Sequence, residues 1–101
     1  MLAHNVYFSM KDASAAARDK VVADAYDLLA PLPGVLFFGC GTLSDLDRPV
    51  NDRDFDVGLH VMLESRAAHD AYQISEEHQK FIAAHKDNFA KVRVFDSDCA
   101  D

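Results

Sequence analysis

His78 stands in "DAYQISEEHQKFIAAH", residues 70–85, six positions after Tyr72 and at the end of a polar run formed by Gln73 and Ser75 to Glu77. An imidazole with an ordinary pKa of about 6.5 can take up a proton at neutral pH, and a phenol can donate a hydrogen bond to a developing enolate or orient a substrate. Paired, they suit proton abstraction next to a carbonyl, or aldol-type ring closure. The structural alternative is that His78 bonds a backbone carbonyl or Tyr72 and only organises a helix start.

In one continuous helix the two side chains would not meet. Six residues turn through roughly 600°, which leaves them about 120° apart. They converge only across a break, and Ser75 supplies one. Beyond it His78, Phe81, Ile82 and His85 recur at spacings of three, four and seven, so this face turns toward a sheet. His4 can reach the same space from the first strand, although a lone strand histidine serves equally well as a satisfied core group. The expected pocket therefore joins His78 and Tyr72, as catalytic pair, with His4, Val57, Leu59, Phe81 and Ile82 as lining. His60 falls on the opposite sheet face, and His69 is expected to be exposed.

The remaining chemistry-bearing residues point to neither a metal nor a cofactor. His85 lies too far along the helix from His78 to share a metal with it, and no HExxH arrangement occurs. "GCG", residues 39–41, lacks the third glycine of a dinucleotide fingerprint and opens no helix, so it reads as a bulge. Asp45, Asp47, Asp52 and Asp54 lack the glycine and terminal glutamate of a calcium loop and read as a solvated charge cluster. Cys40, in an apolar run with no histidine beside it, reads as a buried inert thiol. Cys99 shares no disulfide framework with it.

These residues need elements to hold them. "HNVYFSM" places His4, Val6, Phe8 and Met10 on one face of a strand. From a Ser14 cap, Ala17, Val21, Ala25, Leu28 and Leu29 recur at helical spacing until "APLPG", whose prolines end the helix. "VLFFGCGTL" is a second strand. "FDVGLHVMLES" is a third, with Val57, Leu59, Val61 and Leu63 on one face. Ser65 caps a short helix through Tyr72, Gln73 and Ile74 form a break, and Ser75 caps another helix whose first turn holds Glu76 and Glu77. "NFAKVRVFD" closes as a strand carrying Ala90, Val92 and Val94 on one side and Lys91, Arg93 and Phe95 on the other. Residues 1–97 thus form one domain, with 98–101 a loose tail.

Strand, helix, two strands, helical segment, strand is the ferredoxin-like α+β order: a four-stranded antiparallel sheet with helices on one face. The other face carries Asn5, Tyr7, Ser9, Asp56, His60, Met62, Lys91, Arg93 and Phe95, too mixed for bare solvent. A homodimer through this open sheet face would cover it, with Asp56 meeting Arg93 or Lys91 across the contact.

Charge narrows the partners. Seventeen acidic against ten basic residues leave a net charge of −7 on 101 residues, and no basic stripe could neutralise phosphates, so nucleic acid is not expected. The longest apolar stretch, "GVLFFGCG", is too short for a bilayer, and "MLAHNVYFSMKD" lacks the basic start and apolar run of a signal peptide. A cytoplasmic protein without membrane contact is expected.

In order and spacing, "HNVYFSMKD", "LPGVLFFGCGT", "FDVGLHVMLES", "AYQISEEHQKF" and "VRVFD" resemble the stress-responsive dimeric α/β-barrel (Dabb) family over about residues 2–97. The resemblance implies a ferredoxin-like subunit whose sheet pairs with a partner's into a dimeric α/β barrel. It implies a stress-responsive small protein binding a small apolar or aromatic ligand in a subunit pocket. A polyketide-cyclase-like or isomerase-like enzyme, with His78 as base and Tyr72 as donor, is the alternative. A cofactor-light monooxygenase of the same fold comes third, since the chain has no tryptophan of the kind the haem-degrading branch uses. Val57 and the Ser75–Glu76 step depart from the cyclase pattern, which has histidine and "HP" there.

Overall fold

The computed structural model describes residues 1–100. Strand β1, Leu2–Met10, alternates as a half-buried strand must, turning Leu2, His4, Val6, Phe8 and Met10 inward. Helix α1, Ala15–Leu28, starts where Ser14 Oγ accepts the Ala17 amide at 3.3 Å. It buries Val21 and Ala25, with Leu29 behind them, and ends ahead of Pro31 and Pro33. The chain then turns at Gly34, whose φ of +84° suits glycine. A Cβ there would lie 2.6 Å from that of Ala68, and the Gly34 carbonyl accepts the Glu64 amide at 2.9 Å. The turn is thereby packed against the second helical segment.

Strands β2, Val35–Thr42, and β3, Val57–Leu63, join β1 and β4, Phe89–Asp98, in one antiparallel sheet of order β2-β3-β1-β4. Helices α2, Arg66–Ile74, and α3, Glu76–His85, lie with α1 over one face, and a 3₁₀ turn at Lys86–Asn88 leads into β4. This is the ferredoxin-like fold. Its core is filled by Val57, Leu59, Val61 and Leu63 from β3, with Val21, Leu29, Tyr72 and Phe81 from above. Buried His85 ties α3 to α1 through Asp24, 2.8 Å away, which also takes Lys20 at 2.8 Å. Burial pushes the Asp24 carboxyl upward, but the hydrogen bonds from Lys20 and His85 outweigh it and hold the pKa low.

Four local expectations change. The irregularity in β2 lies between Val35 and Phe37, where Leu36 is the extra residue, and not at the glycines. Gly39 and Gly41 stay in register opposite His60 and Gly58, and a Cβ on Gly39 would press on the Phe37 ring at 3.4 Å. Helix α2 continues through Gln73 and Ile74, so the break is confined to Ser75. Pairing in β4 runs past Asp96, with Ser97 opposite Ala3, Asp98 opposite Leu2, and the Cys99 amide on the Met1 carbonyl at 2.9 Å. Because β1 begins at Leu2, backbone partners are available for residues expected in a loose tail.

The fourth change concerns the loop between β2 and β3, which folds back over the open sheet face. Asp52 takes Arg93 at 3.0 Å, Asp54 pairs with Lys91, and Phe55 packs on Tyr7 with ring centroids 4.8 Å apart. Asp45 and Asp47 remain exposed. Asp56 meets neither base: its Oδ2 accepts the Met10 amide at 2.7 Å. Within the chain Lys91 and Arg93 thus pair with Asp54 and Asp52, the buried Nε of Arg93 finding no hydrogen-bond partner among the described residues, while Asp56 is engaged by β1. A cavity of about 420 Å³ lies on this face, lined by Asn5, Tyr7, Leu46, Phe55, Arg93 and Phe95 among others. Among the described residues no helix is long and apolar enough to cross a membrane.

Candidate functional site

Ser75 adopts an extended conformation, φ −62° and ψ 151°, between two helices, and it serves both. Its hydroxyl donates to the Tyr72 carbonyl at 2.9 Å and accepts the His78 amide at 3.1 Å. The redirected axis brings the Tyr72 and His78 rings edge to face, with centroids 5.4 Å apart. Ring contact, and not a hydrogen bond, joins them.

The two rings line a cavity of about 180 Å³ between the sheet and helices α2 and α3. His4, Leu59, Phe81 and Ile82 line it too, together with Val6, Phe8, Leu29 and Gln73. Val57 does not. It is fully buried near the start of β3, opposite Phe8 and Thr42, and belongs to the core. Val92 and Val94 complete the wall while remaining 47% and 50% exposed, which places the mouth along the edge strand β4.

His4 is held more firmly than His78. Its Nδ1 lies 2.5 Å from Asp96 Oδ1, and its Nε2 lies 3.2 Å from Gln73 Nε2. A neutral imidazole with its proton on Nδ1 satisfies both bonds: it donates to the carboxylate and accepts from the amide. A histidine oriented by a carboxylate is the arrangement of a general base, and a substrate at the cavity would have to displace the Gln73 amide to reach the Nε2 lone pair. Asp96 stands directly opposite His4 across the β1–β4 pair. Sequence reasoning missed Asp96 because it ended the strand there, and missed Gln73 because it read that residue as part of a break.

Electrostatics separates the groups further. Burial lowers the pKa of His78, and nearby His4 lowers it again, so His78 favours its neutral form. Burial raises the Tyr72 phenol, with a smaller push from Cys40, and keeps it protonated as a donor. The half-buried Cys40 thiol is pushed up to about 11 by desolvation, which leaves it a poor nucleophile at neutral pH.

His60 lies on the open face as expected, bonded to Asn5 Oδ1 at 2.8 Å. His69 departs from expectation. Its side chain is only 17% exposed, its ring meets that of His4 edge-on at 5.2 Å, and Asp70 holds its Nδ1 at 3.0 Å. One ring nitrogen each of His4 and His69 and a carboxylate oxygen of Asp96 lie within 4.8 Å of one another, the one such grouping among the described residues.

Solved structures of the same fold accompany this geometry. A Dabb family protein with a ferredoxin-like fold from Mesorhizobium loti has a TM-score of 0.81 at 22% identity, covering 99% of this chain and 97% of that one. A dimeric ferredoxin-like protein from Thermobifida fusca gives 0.78 at 18% identity, over 95% and 88%. The hydroxynitrile lyase of Passiflora edulis gives 0.76 at 23% identity, over 95% and 90%. At such identities the likeness establishes the fold alone. No curated protein matches the chain significantly in sequence. The model of the stress responsive A/B barrel domain, however, matches residues 2–99. With nearly its whole length accounted for in this way, the chain belongs to the stress-responsive A/B barrel (Dabb) family.

Proposed function

We propose that the protein binds a small apolar or aromatic molecule in the cavity between sheet and helices. The observation that carries this reading is the make-up of that space. Phe8, Leu29, Leu59, Phe81, Ile82 and three valines wall it, while His4, Tyr72, Gln73 and His78 cluster to meet a polar substituent. An apolar cavity of about 150 Å³ accommodates benzene. About 180 Å³ therefore suits a single ring with one small polar group.

A panel of single-ring aldehydes, ketones and phenols, screened by thermal shift and mapped by amide NMR, tests this. Ligands should move resonances of Leu59, Phe81 and Ile82, and Ile82→Trp should fill the space and abolish binding without unfolding the chain. Shifts confined to Tyr7 and Phe95 would place the ligand in the other cavity and sink the proposal.

A second reading has its own support. The Asp96–His4–Gln73 chain beside a neutral His78 and a protonated Tyr72 supplies base, orienting carboxylate and donor for moving a proton next to a carbonyl. That is cyclase-, isomerase- or lyase-type chemistry, and a hydroxynitrile lyase has this fold. Exchange of the α-protons of a bound ketone into D₂O measures it directly. His78→Ala and Tyr72→Phe should slow exchange while keeping binding; exchange no faster than in solvent would leave a binding protein only, and exchange unchanged in both variants would take the base role from His78.

We also infer a homodimer through the open sheet face. Phe37 and Phe95 are more than half exposed there, and the Thermobifida fusca neighbour is dimeric.

A further inference from the structure

We propose that His4, His69 and Asp96 form a site for a divalent transition-metal ion of the zinc class. The ligands come from β1, α2 and β4, so no spacing in the sequence announces them. Their donor atoms already lie within 4.8 Å of one another. Ligands about 2.0–2.1 Å from a tetrahedral ion stand roughly 3.3 Å apart. The His4–Asp96 pair, at 2.5 Å, must open by about 0.8 Å, and His69 must close by up to about 1.5 Å. Asp96, with 41% of its side chain exposed, has room to move.

Support behind the ligands argues for a built site. A histidine that binds a metal through one nitrogen commonly gives its other N–H to a carboxylate or carbonyl, which fixes the ring. Asp70 does this for His69 at 3.0 Å, leaving the Nε2 lone pair to ligate. Gln73 stands at the other nitrogen of His4. The ion would replace the proton between His4 Nδ1 and Asp96; that proton moves to Nε2, and Gln73 turns its amide oxygen to accept it. Imidazole and carboxylate donors suit Zn²⁺ and Co²⁺. Three protein ligands leave a position for water or a small molecule, as in sites of the open type.

The test uses the full chain, stripped of metal by a chelator and titrated with Co²⁺ followed by visible absorption and with Zn²⁺ by calorimetry. One ion per chain is expected. His69→Ala and Asp96→Asn, which alter side chains at the rim, should each weaken binding more than about tenfold with the circular dichroism unchanged. Asp70→Asn should weaken it by about tenfold through loss of orientation. His60→Ala should leave it intact. Absence of stoichiometric binding, or affinity indifferent to His69→Ala, overturns the proposal. Because the readout is metal binding, failure here leaves the ligand reading of the cavity standing.

Discussion

Tyr72 and His78 are linked through one hydroxyl: Ser75 Oγ donates to the Tyr72 carbonyl at 2.9 Å and accepts the His78 amide at 3.1 Å. A single side chain thus ends one helix, starts the next and sets the angle at which two rings meet over a cavity. Ser75→Ala should cost about 1 kcal/mol, the usual loss for an N-cap. Ser65→Ala, which removes only the cap of α2, should cost a similar amount. Ligand affinity separates the two. It should fall in Ser75→Ala and hold in Ser65→Ala, measured by titration beside denaturant unfolding.

His78 should impose an acid limit on stability. Its pKa is lower folded than in the unfolded chain, because burial and His4 disfavour the cation. The unfolded state therefore binds the proton first as pH falls, so stability is complete above about 6.5 and declines below it. His78→Gln should flatten that part of the stability–pH curve, read from urea midpoints between neutral and mildly acidic pH. A curve equally steep in the variant would assign the effect to another group.

Where the sequence had period and punctuation, it was sufficient. The alternation of Val57, Leu59, Val61 and Leu63 marks β3, and Ser14, Ser65 and Ser75 mark three helix starts at which each hydroxyl accepts an amide. Contacts made by register or by a folded loop were not legible. The Asp96–His4 pair depends on which residues of β1 and β4 face each other, and His69 depends on how α2 rolls onto the sheet. Asp52 and Asp54 look like solvated acids in a polar stretch; only the fold of that loop over the open face brings them to Arg93 and Lys91.

Gly34 should resist substitution. Its positive φ strains any L side chain, and the new methyl would meet Ala68 Cβ at 2.6 Å. Gly34→Ala should destabilise by more than about 1 kcal/mol. Adding Ala68→Gly should recover only the steric part, leaving the backbone strain. Full recovery in the double variant would show that φ contributes nothing.

The open face makes a prediction about association. Arg93 and Lys91 are already paired with Asp52 and Asp54 of their own chain, so apolar contact remains the main source of attraction between two copies. Phe95 is 53% exposed and rests edge-on against Tyr7, 5.8 Å between centroids. Phe95→Asp should therefore shift the chain toward monomer in sedimentation at micromolar concentration, while its circular dichroism stays native. Salt should matter little to the unmodified chain, since screening acts on exposed charges and leaves apolar burial in place. Dissociation by moderate salt would mean that charges bridge the copies after all, and that the intrachain pairs of Arg93 and Lys91 exchange partners on assembly.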